Sequence, residues 1–151
     1  MRRVCLDSWA ILRWLEGTQP AAGRVASVLP ARPVMSWINV AEVFYVTSRS
    51  AGSAIAADVV RDLRAMLELD LPTVDRILAA AAIKADHRIA LADTFALATA
   101  VAHDATLLTG DPEIVSARGP WRVEDLRHVE AEPPTESDAT AHEDAGRDSG
   151  S

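Results

Sequence analysis

The stretch Leu91–Glu113, LADTFALATAVAHDATLLTGDPE, reads as three elements in succession. Leu91, Phe95, Ala98, Val101 and Ala102 recur at helical spacing and predict a helix with one apolar stripe. The run ATLLT at 105–109 predicts a short buried strand. Gly110-Asp111-Pro112-Glu113 then turns the chain, and its proline and acids suit the start of another helix. One carboxylate, Asp93, stands at the head of the first helix, and a second, Asp111, stands just past the strand. Acids at element ends around a parallel sheet are where metal-dependent chemistry on phosphates can sit.

The same alternation runs outward from this stretch. Arg3–Leu6 predicts a strand, and Asp7 or Ser8 caps a helix that carries Ile11, Leu12 and Leu15 on one face and closes at Gly17. Ala21–Leu29 reads as a second helix, and Pro30 and Pro33 frame a turn. Val34–Trp37 predicts a second strand. Asn39 is expected to cap a third helix, with Glu42 on its first turn and Val40, Val43, Phe44 and Thr47 along it. Residues 48–53 read as a loop. A fourth helix is expected over Ala54–Leu67, a short strand over Leu69–Leu71, and an alanine-rich fifth helix from Thr73 to about Asp86. Trp121–Leu126 stays open between an edge strand and a short helix. Short strands alternating with helices imply a parallel α/β sandwich, in which ligands bind outside the carboxyl ends of the strands.

The 151 residues suffice for one domain with a core, expected over 1–130. Residues 131–151 are rich in Pro, Thr, Ser, Gly and Ala, with six acids against one base, and read as a disordered acidic tail. Most of the net charge of −7 therefore sits in the last 21 residues, and the body carries −2. Setting aside four carboxylates singled out below leaves the body at +2, compatible with a nucleic-acid substrate. Cys5 is the only cysteine, so no internal disulfide forms, and its apolar flanks predict a buried thiol. Asp7 interrupts the N-terminal apolar run, which speaks against a signal peptide, and no apolar run approaches the roughly 20 residues of a membrane span. A cytoplasmic protein is the expectation. The four tryptophans, Trp9, Trp14, Trp37 and Trp121, read as core or interface residues.

Asp7, Glu42, Asp93 and Asp111 each follow or flank a strand end, and Glu113 lies two residues past Asp111. Each alone has a plain reading as a helix cap, and Asn39-x-x-Glu42 has the spacing of a capping box. Together they would crowd like charges on one rim of the sheet, which is unfavourable without a cation. A carboxylate-only set selects hard ions, Mg²⁺ or Mn²⁺. His87, His103, His128 and His142 have no metal-ligand spacing, and His103 reads as a helix-end residue. The sequence has neither a phosphate-binding glycine loop nor a G-x-S-x-G nucleophile motif.

Four blocks carry a more specific likeness: Leu6-Asp7-Ser8, Asn39-Val40-Ala41-Glu42, Leu91-Ala92-Asp93 and Leu108-Thr109-Gly110-Asp111-Pro112-Glu113. Their order and helix–strand setting, from Val4 to about Leu126, resemble PIN-domain ribonucleases, and among them the VapC toxins of toxin–antitoxin pairs. The resemblance implies a PIN-like three-layer sandwich and a Mg²⁺-dependent endoribonuclease. It also implies a homodimer held inactive by a VapB-type antitoxin. Asp7, Glu42, Asp93 and Asp111 match the family's acidic quartet, expected to hold metal and carry catalysis. Asn39 and Thr109 match supporting polar positions, and Glu113 is expected to add a water-mediated contact. Arg13, Arg49, Lys84, Arg88 and Arg118 are candidate phosphate contacts.

Rival folds fare worse. A phospho-receiver module needs a lysine after a late strand, and the only lysine, Lys84, sits in a helical stretch. A haloacid-dehalogenase-type phosphatase needs Asp-x-Asp after the first strand, where this chain has Asp7-Ser8-Trp9. A PIN domain that binds without cleaving is disfavoured by the complete quartet. A non-toxin PIN nuclease in RNA processing is the remaining alternative.

Overall fold

The structure is a computed structural model that describes residues 2–128. The acidic segment 131–151 and the disorder expected for it lie outside the described residues. Five strands form one all-parallel sheet in the order β3-β2-β1-β4-β5: β1 Arg3–Leu6, β2 Val34–Ser36, β3 Glu68–Asp70, β4 Ala105–Thr109 and β5 Arg122–Asp125. Seven α-helices flank it: α1 Ser8–Glu16, α2 Ala21–Val28, α3 Trp37–Ala51, α4 Ser53–Met66, α5 Val74–Asp86, α6 Leu91–Ala102 and α7 Pro112–Ser116. A single 3-10 turn, Leu29–Ala31, extends α2.

Strand periodicity divides the core into two layers. Leu6, Met35 and Leu108 face one side and pack with Ile11, Val25, Val43 and Leu63 from α1 to α4. Cys5 and Leu107 face the other and pack with Ala96, Leu97 and Ala100 of α6 and Ile114 of α7. Both faces of the sheet are thereby covered, as a parallel sheet requires. Burial pushes the Cys5 thiol far above its ordinary range, so it behaves as an apolar core residue, as expected. Trp9, Trp14 and Trp37 pack against the first layer and Trp121 against the second. Among the described residues no helix is long and apolar enough to cross a membrane.

Several expectations shift. The second strand ends at Ser36, whose hydroxyl caps α3 by accepting from the Ile38 N–H (3.2 Å). Helix α3 thus starts before Asn39, so Asn39 is not its cap and Glu42 lies on its second turn. Residues 48–51 continue α3 instead of forming a loop. Only Gly52, at φ 93°, separates α3 from α4, because that backbone is strained for residues with a Cβ. The third strand sits one residue earlier than expected. Trp121–Leu126 resolves as an edge strand, β5, paired with β4. Helix α6 has no single stripe: Leu91 and Val101 are exposed, while every residue from Asp93 to Ala100 is buried. Phe95 and Ala98 face Ala80 of α5, and Leu97 faces the sheet. A helix buried on all sides is a core element, and it delivers its first turn to the carboxyl rim.

Candidate metal centre

Asp7 leaves the carboxyl end of β1 and caps α1. Its Oδ1 accepts from the Ala10 N–H (2.9 Å), and its Oδ2 accepts from the Thr109 hydroxyl at the end of β4. Thr109 Oγ1 in turn accepts from the Asp111 N–H (3.1 Å). Asp111 caps α7, its Oδ1 accepting from the Glu113 N–H (2.9 Å). A line of hydrogen bonds therefore fixes Asp7, Thr109, Asp111 and the first turn of α7 relative to one another. The backbone comes close here as well: a Cβ on Gly110 would lie 2.3 Å from the Trp9 ring. Only glycine lets β4 turn under that indole.

Glu42 reaches the same rim from α3. Its Oε1 accepts from Ser8 Oγ (3.0 Å) and from Asn39 Nδ2 (3.0 Å). Asn39 Nδ2 also donates to the Ala92 carbonyl (3.1 Å), tying α3 to the turn that carries Asp93. The partner oxygen, Asn39 Oδ1, is buried without a donor among the described residues. The Ser8 contact is one the sequence reading missed, although the Asp-Ser pair after the first strand was its visible trace.

One carboxylate oxygen from each of Asp93, Asp111 and Glu113 lies within 4.8 Å of the others. Glu113, expected only as a support, is thus a full member of the tightest acid group. Asp7 and Glu42 flank that triad and complete the acidic rim. Burial pushes the Asp7 carboxyl up to about 7, with the charges of Asp93 and Asp111 adding to it and the bonds from Thr109 and Ala10 opposing it. Burial also pushes Asp93 up to about 7, followed by the charges of Asp111, Glu42 and Glu113.

This donor set fits a hard divalent cation. All its donors are oxygens, and the Asp7 and Asp93 carboxyls are raised by burial first and by the neighbouring acids second. Two oxygens on one octahedral Mg²⁺, each at about 2.1 Å, stand about 3.0 Å apart when adjacent and about 4.2 Å apart when opposite, so the three carboxylates would draw inward around a bound ion. His87 and His103 take other roles. His103 caps the C-terminus of α6 and bonds Asp70 (2.9 Å), and His87 contacts the Ile83 and Arg118 carbonyls (3.1 and 3.0 Å).

A family model described as "PIN domain" matches residues 4–119. The chain belongs to the PIN-domain family. No curated protein sequence matches it significantly. Among solved structures, it is similar to a chain of the DNA-bound VapBC complex of Salmonella typhimurium, at 17% identity and TM-score 0.68, covering 83% of this chain and 99% of that one. It is also similar to VapBC-1 of nontypeable Haemophilus influenzae, at 22% identity and TM-score 0.64, covering 83% and 98%. A third likeness is to Mycobacterium tuberculosis VapC20, titled a "Sarcin-Ricin loop cleaving toxin", at 15% identity and TM-score 0.63, covering 75% and 93%. These likenesses establish that the PIN domain here has the fold of VapBC-complex chains.

The five candidate phosphate contacts scatter over this PIN domain. Arg13 pairs with Glu16 and lies over the Trp9 ring, Arg49 lies over Tyr45, and Lys84 donates to the Ile89 carbonyl. Arg118 offers its carbonyl to His87. Arg88 alone of the five lines the shallow groove that holds Pro112 and Glu113.

Proposed function

We propose that this PIN domain is a divalent-metal-dependent endoribonuclease, using Mg²⁺ or Mn²⁺, and the toxin of a VapBC-type pair. The observation that carries the reading is the convergence of Asp93, Asp111 and Glu113, flanked by Asp7 and Glu42, at the carboxyl ends of a parallel sheet. Asp7, Glu42, Asp93 and Asp111 are the proposed catalytic and metal-holding residues, with Glu113 beside them. Asn39 and Thr109 are positioning residues.

Each residue's part follows from its contacts. Thr109 and the Ala10 N–H hold the Asp7 carboxylate in one orientation. Ser8 and Asn39 anchor Glu42 through Oε1, which leaves Oε2 to accept the proton of an attacking water. That water's oxygen bonds to phosphorus as the bond to the leaving ribose oxygen breaks, and that oxygen keeps the electron pair and takes a proton from solvent. Arg88, which lines the same shallow groove as Glu113, is the candidate to steady a nonbridging phosphate oxygen. A bound divalent cation acidifies water, offsets charge on the phosphate and lets a polyanion approach an acidic rim.

The toxin assignment rests on the fold shared with VapBC complexes. It carries with it a VapB-type antitoxin partner, a homodimer and a cytoplasmic setting. The test is RNA cleavage by the full chain in Mg²⁺, Mn²⁺ and EDTA. Asp93→Asn should abolish cleavage while keeping the fold. Cleavage in EDTA, or by Asp93→Asn at the unsubstituted rate, would overturn the nuclease mechanism. Growth arrest on expression, relieved by a small neighbouring gene, tests the toxin role. A monomer by sedimentation at tens of micromolar would remove the dimer.

A further inference from the structure

At the pole opposite the acids, the amino ends of the strands open onto a cleft of about 450 Å³ between α2, the Leu29–Ala31 turn and β1, β4 and β5. Arg2, Arg3, Arg24 and Arg32 line it, and Glu124 is the one acid in its lining. Two of these arginines are occupied. Arg24 holds Glu124 with both Nε and Nη2 (2.8 and 2.9 Å), and Arg3 pairs with Glu68. Arg2 and Arg32 make no salt bridge among the described residues, although Asp104 lies near enough to feel the Arg2 charge, and Arg32 spends one N–H on the Ala65 carbonyl (3.3 Å).

The backbone at Arg32 adds a second observation. It stands at φ 57°, a region that disfavours any residue with a Cβ. Its N–H closes the turn on the Leu29 carbonyl (3.0 Å), a task glycine performs without strain. A guanidinium is kept at the mouth of a basic cleft where glycine is the relaxed choice. Strain retained with a charged side chain points to a use for the charge.

We infer that this cleft is a second anion site, which takes backbone phosphates of an RNA strand away from the scissile bond. The inference rests on RNA as substrate. Arg3 and Asp7 lie four strand residues apart, about 13 Å, so a phosphate held here is not the one being cut. The groove between α2 and β5 shares Arg24 and Glu124 with the cleft and runs on past Asp125, Leu126 and His128. The Leu126 N–H bonds the Thr109 carbonyl (2.8 Å), and Thr109 holds Asp7. Arginine forks match phosphate oxygens. A chain of net charge −7 with an acidic rim needs such an anchor to retain a polyanion.

The test measures binding of a fluorescent single-stranded RNA of about 20 nucleotides to the full chain in EDTA, between about 50 and 200 mM salt. Arg2→Ala/Arg32→Ala should flatten the slope of log K against log salt by about 1.4, two phosphates at about 0.7 each. Arg2→Lys/Arg32→Lys should keep the slope. Arg32→Gly should flatten it by about 0.7 while its melting temperature holds or rises, whereas a variant at a merely structural Arg32 would melt lower. Cleavage of a dinucleotide in Mg²⁺ should not change in any of these variants. Arg2→Ala, at an exposed terminus, serves if a position-32 variant fails to fold. Equal slopes throughout overturn the inference. So does arginine-dependent binding of a synthetic 131–151 peptide with RNA affinity unchanged, which would give the cleft to the chain's own acidic segment. Arginine-dependent RNA binding without cleavage sinks the nuclease reading and leaves this site standing, and cleavage without arginine dependence does the reverse.

Discussion

Lowering the pH from about 7.5 to about 5.5 should raise the melting temperature of the metal-free protein, and Asp93→Asn should remove part of that gain. Asp7 and Asp93 are pushed up to about 7 in the folded protein from an ordinary carboxyl value near 3.8. Between these values the folded state binds protons that the unfolded state has released. Stability therefore falls as pH rises, with the contribution complete below the unfolded value and gone once pH passes the folded one. For one such carboxyl, the linkage relation gives about 2 kcal/mol between the two pH values, and about 4 kcal/mol is a ceiling for both. Because the Asp93 charge is part of what raises Asp7, the two contributions are not independent and the true figure lies below that ceiling. At about 2–4 °C per kcal/mol for a chain of this size, one carboxyl moves the melting temperature by about 4–8 °C. The assay is thermal unfolding in EDTA across this range, with and without Asp93→Asn. Every other group is common to both proteins, so the difference between the two curves isolates the carboxylate. With saturating Mg²⁺ or Mn²⁺ the added stability should grow as pH rises, because the cation competes with the same protons. A metal-free melting temperature that is flat or increases with pH, or an Asp93→Asn curve parallel to the unsubstituted one, would refute the picture of two carboxyls raised first by burial and then by neighbouring acids.

Further outcomes follow from single contacts. Asn39→Ala removes the bridge from Glu42 to the Ala92 carbonyl and should lower kcat for RNA more than it lowers stability, read as turnover beside the melting curve. Gly110→Ala drives a methyl into the Trp9 ring and should cost about 1–3 kcal/mol, with a shift in tryptophan emission marking the displaced indole. Leu97→Ala empties a fully buried site on α6 and should cost about 2–5 kcal/mol by denaturant unfolding, without altering metal affinity per folded molecule.

What the sequence revealed and what it hid separate along physical lines. Strands β1 and β4 were legible because their residues are apolar on both faces of a covered sheet, and α5 because Thr73 caps it by accepting from the Arg76 N–H (3.2 Å). The third helix was misplaced because Ser36 and Asn39 are both good caps three residues apart, and Trp37-Ile38 suits a strand as well as a helix. The choice falls to Ser36 because β2 stops pairing there, at its register with Asp70 of β3. That displacement changed the site. Asn39 is drawn inside the helix, where its side chain spans Glu42 and Ala92 instead of capping α3. Residues 48–51 were hidden for a related reason: their serines look like loop residues, yet packing of α3 on α4 overrides propensity until Gly52. Strand β5, with the sequence RVED, has almost no apolar signal of its own, and it exists through bonds to β4, a partner no local window contains.

The acids illustrate the same division at the level of chemistry. Asp7 and Asp111 were each readable as caps, and the structure shows that they are caps: Asp7 accepts from the N–H three residues on and Asp111 from the N–H two residues on. The capping role does not compete with the metal-holding role proposed for them; it supplies the geometry for it. A capped aspartate keeps one oxygen on the helix and turns its carboxyl plane to the rim, and Thr109 sets the Asp7 plane from the other side. Glu113 escaped a full reading because its reach depends on α7 starting immediately after Asp111, with Pro112 at the first helical position. That single turn brings a residue two positions past a cap back over it and places its carboxylate beside Asp93 from another helix. Spacing alone shows which carboxylates follow strand ends. The direction of the helices they cap decides which of them meet.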